Sequence, residues 1–82
     1  MKKALEIRPN DFETNRLLGT CYGLMGNHAV AARLFIKCID LQPNNASLYV
    51  NLARAYENAG KIDESQAALA KAKSIDPGIL NK

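Results

Sequence analysis

Residues 49–77 read YVNLARAYENAGKIDESQAALAKAKSIDP, and the same succession of small, apolar and aromatic residues stands 34 residues earlier in the chain. The residues that match are Tyr49, Leu52, Ala53, Tyr56, Gly60, Ser65, Leu69, Ala72 and Pro77, preceded by Asn15, Leu18, Gly19, Tyr22, Gly26, Ala31, Phe35, Cys38 and Pro43. Pro9, Pro43 and Pro77 follow one another at this same interval. A period of this length predicts a repeat built from two helices.

Four long helices are predicted from the spacing of apolar residues at three and four positions. They are residues 12–25, 29–41, 46–59 and 63–75, preceded by a short helix at residues 1–8. Gly26 and Gly60 follow the first and third of them, which indicates helix ends, because glycine enters the left-handed conformation without steric cost.

Three helix starts carry capping residues in the sequence. Asp11 and Asn45 are the predicted N-caps of the first and third helices, since their side chains can accept from backbone N–H groups of the first turn. Asp63, with Gln66 three residues later, has the form of a capping box for the fourth helix.

The periodicity also predicts which side chains are buried. The first helix is expected to bury one face, made of Leu17, Leu18, Cys21, Tyr22 and Met25. The second is expected to turn Val30, Ala31, Leu34, Phe35, Cys38, Ile39 and Leu41 inward, and Arg33, Lys37 and Asp40 outward. Both cysteines are therefore predicted to be reduced core thiols, and unpaired thiols favour a reducing compartment such as the cytoplasm.

The matched residues resemble the motif of the tetratricopeptide repeat family over the whole chain. The resemblance implies an all-α solenoid of antiparallel helix pairs, a single module spanning residues 1–82. Its parts would be the end of a preceding repeat (1–11), two complete repeats (12–45 and 46–79) and the start of a further repeat (80–82). Asn15 departs from the family pattern, because a polar residue stands where a large ring or leucine is expected.

The resemblance further implies that the first helix of each pair lines a concave groove that holds peptides. The groove residues are expected to be Glu13, Arg16, Leu17, Thr20, Gly23 and Leu24, then Ser47, Val50, Asn51, Arg54, Glu57 and Asn58. Arg16, Asn51 and Arg54 could donate hydrogen bonds to a peptide backbone or carboxylate, while Leu24 and Val50 could make apolar contacts. The open alternative is that these are ordinary solvated residues that bind nothing.

Other kinds of site have weaker support in the sequence. A chaperone-tail clamp would need five polar positions on three first helices, of which this chain offers two partial matches, Arg16 and Asn51. Lys3, Lys37 and Lys71 recur at one repeat position and are interpreted as a solvated face. His28 could join Cys21 and Cys38 only in a three-ligand metal site, so it is interpreted as a turn or packing residue, and no metal or cofactor is expected.

Composition narrows the function classes. Eleven Lys and Arg against eight Asp and Glu give a net charge of +3 without a block of like charges, so nucleic acid is not an expected partner. No segment has the length of a membrane span, and no catalytic constellation stands out. We expect a non-catalytic interaction module. The alternative is self-assembly into homo-oligomers through repeat ends, with Leu69, Ala72 and Ile75 exposed on a last helix that has no cap.

Overall fold

A computed structural model describes residues 11–79 of the chain. This part contains four α-helices and no strand: α1 (Phe12–Leu24), α2 (His28–Leu41), α3 (Ala46–Asn58) and α4 (Ile62–Ile75). Each observed helix agrees with its prediction to within one residue at either end, so the all-α fold is confirmed. The helix predicted at residues 1–8 and the partial repeat at residues 80–82 lie outside the described residues.

The helices pack in chain order, α1 on α2, α2 on α3 and α3 on α4. Short connections between them keep sequence neighbours adjacent, as in other helical hairpins. The shared core lies around α2 and α3 and consists of Ala31, Ala32, Phe35, Leu52, Ala53, Ala55 and Ala68. Tyr22 and Tyr56 are half-buried and pack against it. The small residues at the helix contacts allow the helices to approach closely.

Each hairpin turn is closed by the same backbone motif. Gly26 has a φ of +90° and Gly60 a φ of +84°, and both lie just after the end of a helix. In the first turn the Asn27 N–H donates to the Tyr22 carbonyl at 2.8 Å, and in the second the Lys61 N–H donates to the Tyr56 carbonyl at 2.8 Å. These bonds satisfy carbonyls at the helix ends. The predicted glycine stops are confirmed.

Two of the three predicted N-caps are observed. The Asp11 carboxylate accepts from the Thr14 N–H at 3.0 Å, and the Asn45 side chain accepts from the Ser47 N–H at 3.1 Å. The predicted capping box of Asp63 is wrong, because α4 begins at Ile62 and its N-cap residue, Lys61, makes no side-chain capping bond. Asp63 lies inside the first turn, where its charge still favours the positive end of the helix dipole.

Gly19 allows the ring of Phe35 to pack directly against α1 in the first pair. A Cβ placed on Gly19 would lie 3.0 Å from Cε1 of Phe35 and 3.1 Å from its Cζ. The equivalent residues of the second pair are Ala53 and Leu69. The smaller glycine thus occurs with the larger phenylalanine, and the larger alanine occurs with the smaller leucine.

Several burial predictions are wrong. On α1, Leu17, Cys21 and Met25 are exposed, and Leu18 and Tyr22 are half-buried. The buried residues of α1 are Asn15 and Gly19. On α2, Val30 and Leu41 are exposed, while Ala32 is buried instead.

The polar exception Asn15 is accommodated in the core. Its side chain is 2% exposed, and its Nδ2 donates to the Asp11 carbonyl at 2.9 Å. The predicted exposure of Ala72 on α4 is wrong, because Ala72 is fully buried, and Leu69 packs against the core cluster. Ile75 is half-buried.

Candidate functional site

The candidate binding surface consists of the side chains of α1 and α3 that point away from the packed core. Each residue predicted for it is exposed or half-buried: Glu13, Leu17, Thr20, Leu24, Ser47, Arg54, Glu57 and Asn58 are exposed, and Arg16, Gly23, Val50 and Asn51 are half-buried. Helical geometry explains this. Leu17 and Leu24 are two turns apart on one side of α1, while the buried Gly19 lies about 200° around the helix from Leu17.

The polar residues of α1 are already organised within the helix. Nη2 of Arg16 donates to Oε2 of Glu13, one turn earlier. The hydrogen bond and the negative charge of Glu13 raise the pKa of the Arg16 guanidinium above its ordinary value. Arg16 therefore stays cationic. A guanidinium has five N–H donors, and the bond to Glu13 involves only those on Nη2. The Thr20 hydroxyl bonds to the backbone of its own helix, since it donates to the Arg16 carbonyl at 3.1 Å.

The α3 part of the surface is more polar than the α1 part. It presents Arg54 and Glu57 as exposed charges and Asn58 as an exposed amide, beside the half-buried Val50 and Asn51. By contrast, α1 presents Leu17 at 51% and Leu24 at 85% exposure. The surface thus combines hydrogen-bond donors with apolar contacts, which is the chemistry needed to bind a peptide.

Two open clefts lie at the edges of the helix layer. One, of about 700 Å³, lies between the α2–α3 connection and the C-terminal end of α4, and is lined by Gln42, Pro43, Asn44, Asn45, Ala46, Ser47, Ile75, Asp76 and Ile79. The other, of about 270 Å³, lies beside the α1–α2 turn and the end of α3. Among the predicted surface residues, Ser47 lines the first of these clefts and Asn58 the second.

The two cysteines differ in environment. Cys38 is fully buried, and its Sγ lies 3.7 Å from the Phe12 carbonyl, to which it can donate. Burial raises the pKa of the Cys38 thiol, partly offset by the positive charge of Arg16. Cys21 is exposed, so the prediction of two core thiols is wrong for Cys21, although both thiols are free as predicted.

Among residues 11–79 no group of three or more His, Cys, Asp and Glu side chains is arranged to hold a metal ion. His28 is the first residue of α2 and is half-buried, beside the smaller cleft. No helix in the same range has the length and hydropathy needed to cross a membrane.

The exposure of Cys21 and Met25 was not predicted from the sequence. Met25 corresponds to the exposed Ala59 of the second repeat, so its exposure agrees between repeats. Leu17 and Leu24 were predicted as groove residues, and their equivalents, Asn51 and Asn58, also indicate a face turned to solvent, because both are amides.

Comparison with known proteins gives consistent matches. Residues 24–79 match the family model described as Tetratricopeptide repeat. The chain is 35% identical over 79 residues to Tetratricopeptide repeat protein 37 of Xenopus laevis, which covers 94% of the chain and 5% of that protein. It is 35% identical over 77 residues to Essential for maintenance of the cell wall protein 1 of Saccharomyces cerevisiae, covering 93% of the chain and 8% of the relative.

A mouse relative carries the name of a transferase. Protein O-mannosyl-transferase TMTC3 of Mus musculus is 26% identical over 77 residues, covering 94% of the chain and 8% of that protein. The chain thus spans less than a tenth of the length of each of these three relatives. Because one relative is named as a transferase, a segment of this kind also occurs within an enzyme.

Proposed function

Because the chain belongs to the tetratricopeptide repeat family, we propose that it is a non-catalytic interaction module whose α1 and α3 surface binds a peptide or protein partner. Members of this family generally mediate protein–protein interactions. In this proposal the repeats are residues 12–45 and 46–79, and the first helix of each contributes one half of a groove.

One observation supports the proposal most directly. The side chains of α1 and α3 that are not used in packing form two matching sets, one in each repeat, and all of them are at least partly accessible. Arg16 and Arg54 supply cationic donors to these sets, and Leu24 supplies an apolar side chain that is 85% exposed. Charge-assisted hydrogen bonds from arginine suit peptide carboxylates and carbonyls.

The test is a binding experiment with charge-reversed variants. Partners are isolated on the immobilised full chain, identified, purified and titrated against the wild type, Arg16→Glu and Arg54→Glu. Arg33→Glu is the matched control, since Arg33 is exposed on a second helix outside the surface. We expect each groove variant to weaken binding about tenfold and the control to leave it unchanged. Equal affinity of all four proteins would exclude the groove.

Self-assembly through repeat ends is the alternative function. The fully buried Ala72 and the core contact of Leu69 leave Ile75 as the remaining candidate among the three residues proposed for it. Light scattering over a range of protein concentrations separates the two functions. A monomer at millimolar concentration would count against self-assembly, and a dimer whose affinity falls in Ile75→Lys would support it.

A further inference from the structure

The larger of the two clefts, of about 700 Å³, lies where two helices end. α2 ends at Leu41, and the next residue, Gln42, lines the cleft. α4 ends at Ile75, which lines the cleft together with Asp76. The carboxyl end of a helix carries a partial negative charge, because its last carbonyls have no N–H partner within the helix. The negative ends of two helices therefore meet at this cleft.

The proline after each of these helices keeps its end open. Pro43 and Pro77 stand two residues after α2 and α4, and proline has no backbone N–H to donate. A single backbone bond closes each end, donated by Gln42 at 2.8 Å and by Asp76 at 2.9 Å. Among residues 11–79, no backbone N–H donates to the last three carbonyls of either helix. These carbonyls are available to a donor from another molecule.

The side chains of the cleft add to this negative potential. Among the described residues that line it, Asp76 is the one charged residue. Its carboxylate accepts from the Gly78 N–H at 3.2 Å, and a carboxylate can accept several such bonds at once. The positive end of α3 also lies at the cleft, but the Asn45 side chain caps it by accepting from the Ser47 N–H at 3.1 Å. Two negative helix ends and one carboxylate thus outweigh one capped positive end, and the cleft favours a cation.

We propose that this cleft binds the guanidinium group of an arginine side chain from a partner protein. A guanidinium has five N–H donors in one plane, so it can pair with Asp76 and donate to helix-end carbonyls at the same time. The aliphatic stem of arginine packs on apolar surface, which Pro43, Ile75 and Ile79 provide in the cleft. A cleft of about 700 Å³ also has room for the peptide groups beside the arginine.

This site goes beyond the proposed function. Ser47 is the residue that the cleft shares with the α1 and α3 surface, and no residue of α1 lines it. A divalent metal ion fits the cleft less well than a guanidinium, because such ions are held by several carboxylate or carbonyl oxygens in a fixed geometry, and the cleft offers one carboxylate. Lysine offers a point charge that cannot pair with a carboxylate in the bidentate way that arginine does.

The experiment titrates the full chain, labelled with nitrogen-15, and follows its backbone amide signals by NMR. The probe is a capped tripeptide with arginine between two glycines. In the control peptide citrulline replaces arginine, which keeps the shape of the side chain and removes its charge. Butylguanidinium represents a free small molecule with the same cationic group. We expect the arginine peptide to shift the amide signals of Asn44, Ser47 and Gly78, and to bind at least about tenfold more tightly than either of the other two.

Two variants change the charge of the cleft in different ways. Asp76→Asn removes the negative charge and keeps a side-chain oxygen that can accept from the Gly78 N–H. Asn44→Lys places a competing ammonium in the cleft and leaves Asp76 in place. The matched controls are Glu64→Gln and Gln66→Lys, since both residues are exposed on α4 and lie outside the cleft. Each cleft variant should weaken binding of the arginine peptide about tenfold, and each control less than about twofold.

Four results would overturn the inference. The first is that the arginine peptide does not bind, and the second is that the citrulline peptide binds equally well. The third is that the control variants weaken binding as much as the cleft variants do. The fourth is that butylguanidinium binds as tightly as the peptide, because the ligand would then be a small molecule. None of these results affects the proposed function, which is tested through Arg16 and Arg54.

Discussion

Replacing Gly19 by alanine should destabilise the protein, although the same change in an open helix would stabilise it. The new Cβ would lie 3.0, 3.1 and 3.3 Å from three carbons of the Phe35 ring. Favourable carbon–carbon contacts lie at about 3.5–4.0 Å, so the ring must move by several tenths of an ångström. Phe35 is 5% exposed and belongs to the core cluster, which leaves little room for that movement.

The magnitude follows from two opposing effects. Alanine in place of glycine inside a helix gains about 0.8–1.0 kcal/mol. Forcing an extra carbon into a filled core costs about 1–3 kcal/mol. We expect a net loss of about 1 kcal/mol in the free energy of unfolding, which lowers Tm by about 4–8 °C for a domain of this size.

The second repeat supplies the matched rescue. It carries alanine and leucine at the positions of Gly19 and Phe35, so Phe35→Leu should make room for the alanine. The wild type, both single variants and the double variant form a double-mutant cycle, measured by urea denaturation followed by circular dichroism. We expect a favourable coupling of about 1–3 kcal/mol between the two changes. Additive effects, or a Gly19→Ala variant more stable than the wild type, would refute the predicted steric contact.

Three further predictions concern the turns, the cap and the buried thiol. Gly26→Ala and Gly60→Ala should each lower the free energy of unfolding by about 1 kcal/mol, because both glycines have a positive φ, which a side chain disfavours. A larger loss is not expected, since a Cβ at either position would have no other atom within 4 Å. Asp11→Ala should cost about 1 kcal/mol and Asp63→Ala only a few tenths in the same denaturation assay, since only Asp11 caps a helix. Burial raises the pKa of the Cys38 thiol in the folded protein. The thiol's contribution to the free energy of unfolding is therefore complete below the pKa of the unfolded thiol, about 8.5, and is lost as the pH rises through the pKa of the folded thiol. Cys38→Ala, the residue of the second repeat, should flatten this decline in denaturation measured from about pH 7 to pH 10, and an unchanged slope would contradict it.

Local backbone chemistry explains why the helices could be predicted so closely. The positions of Gly26 and Gly60 and the caps at Asp11 and Asn45 depend on interactions within a few residues, which a sequence states directly. The failure at Asp63 has the same cause, because a capping pattern one or two residues inside a helix looks the same in the sequence as one at its start. Local signals therefore determine the helices and limit the precision of their ends.

Burial depends on which helices are neighbours, and this is not a local property. Periodicity shows that α1 has an apolar side, yet α1 has apolar residues on more than one side, and the sequence does not state which of them is covered. Among the described helices α1 packs on α2, whereas α3 packs on both α2 and α4. For this reason Ala55 is buried while Cys21, at the equivalent position, is exposed.

Exposed residues that differ between the two repeats bear on function. Equivalent residues that are small in both repeats, such as Ala31 and Ser65 on the second helices, are buried at the helix contacts. Residues that differ between repeats while remaining exposed, such as Leu24 and Asn58, cannot be explained by the packing that both repeats have in common. Equivalent positions with the same neighbours are under the same packing constraint, so a chemical difference at a position exposed in both repeats is not required by the packing that they share. Within the proposed function, this difference favours α1, with its uncovered leucines, as the helix that contributes most to partner binding.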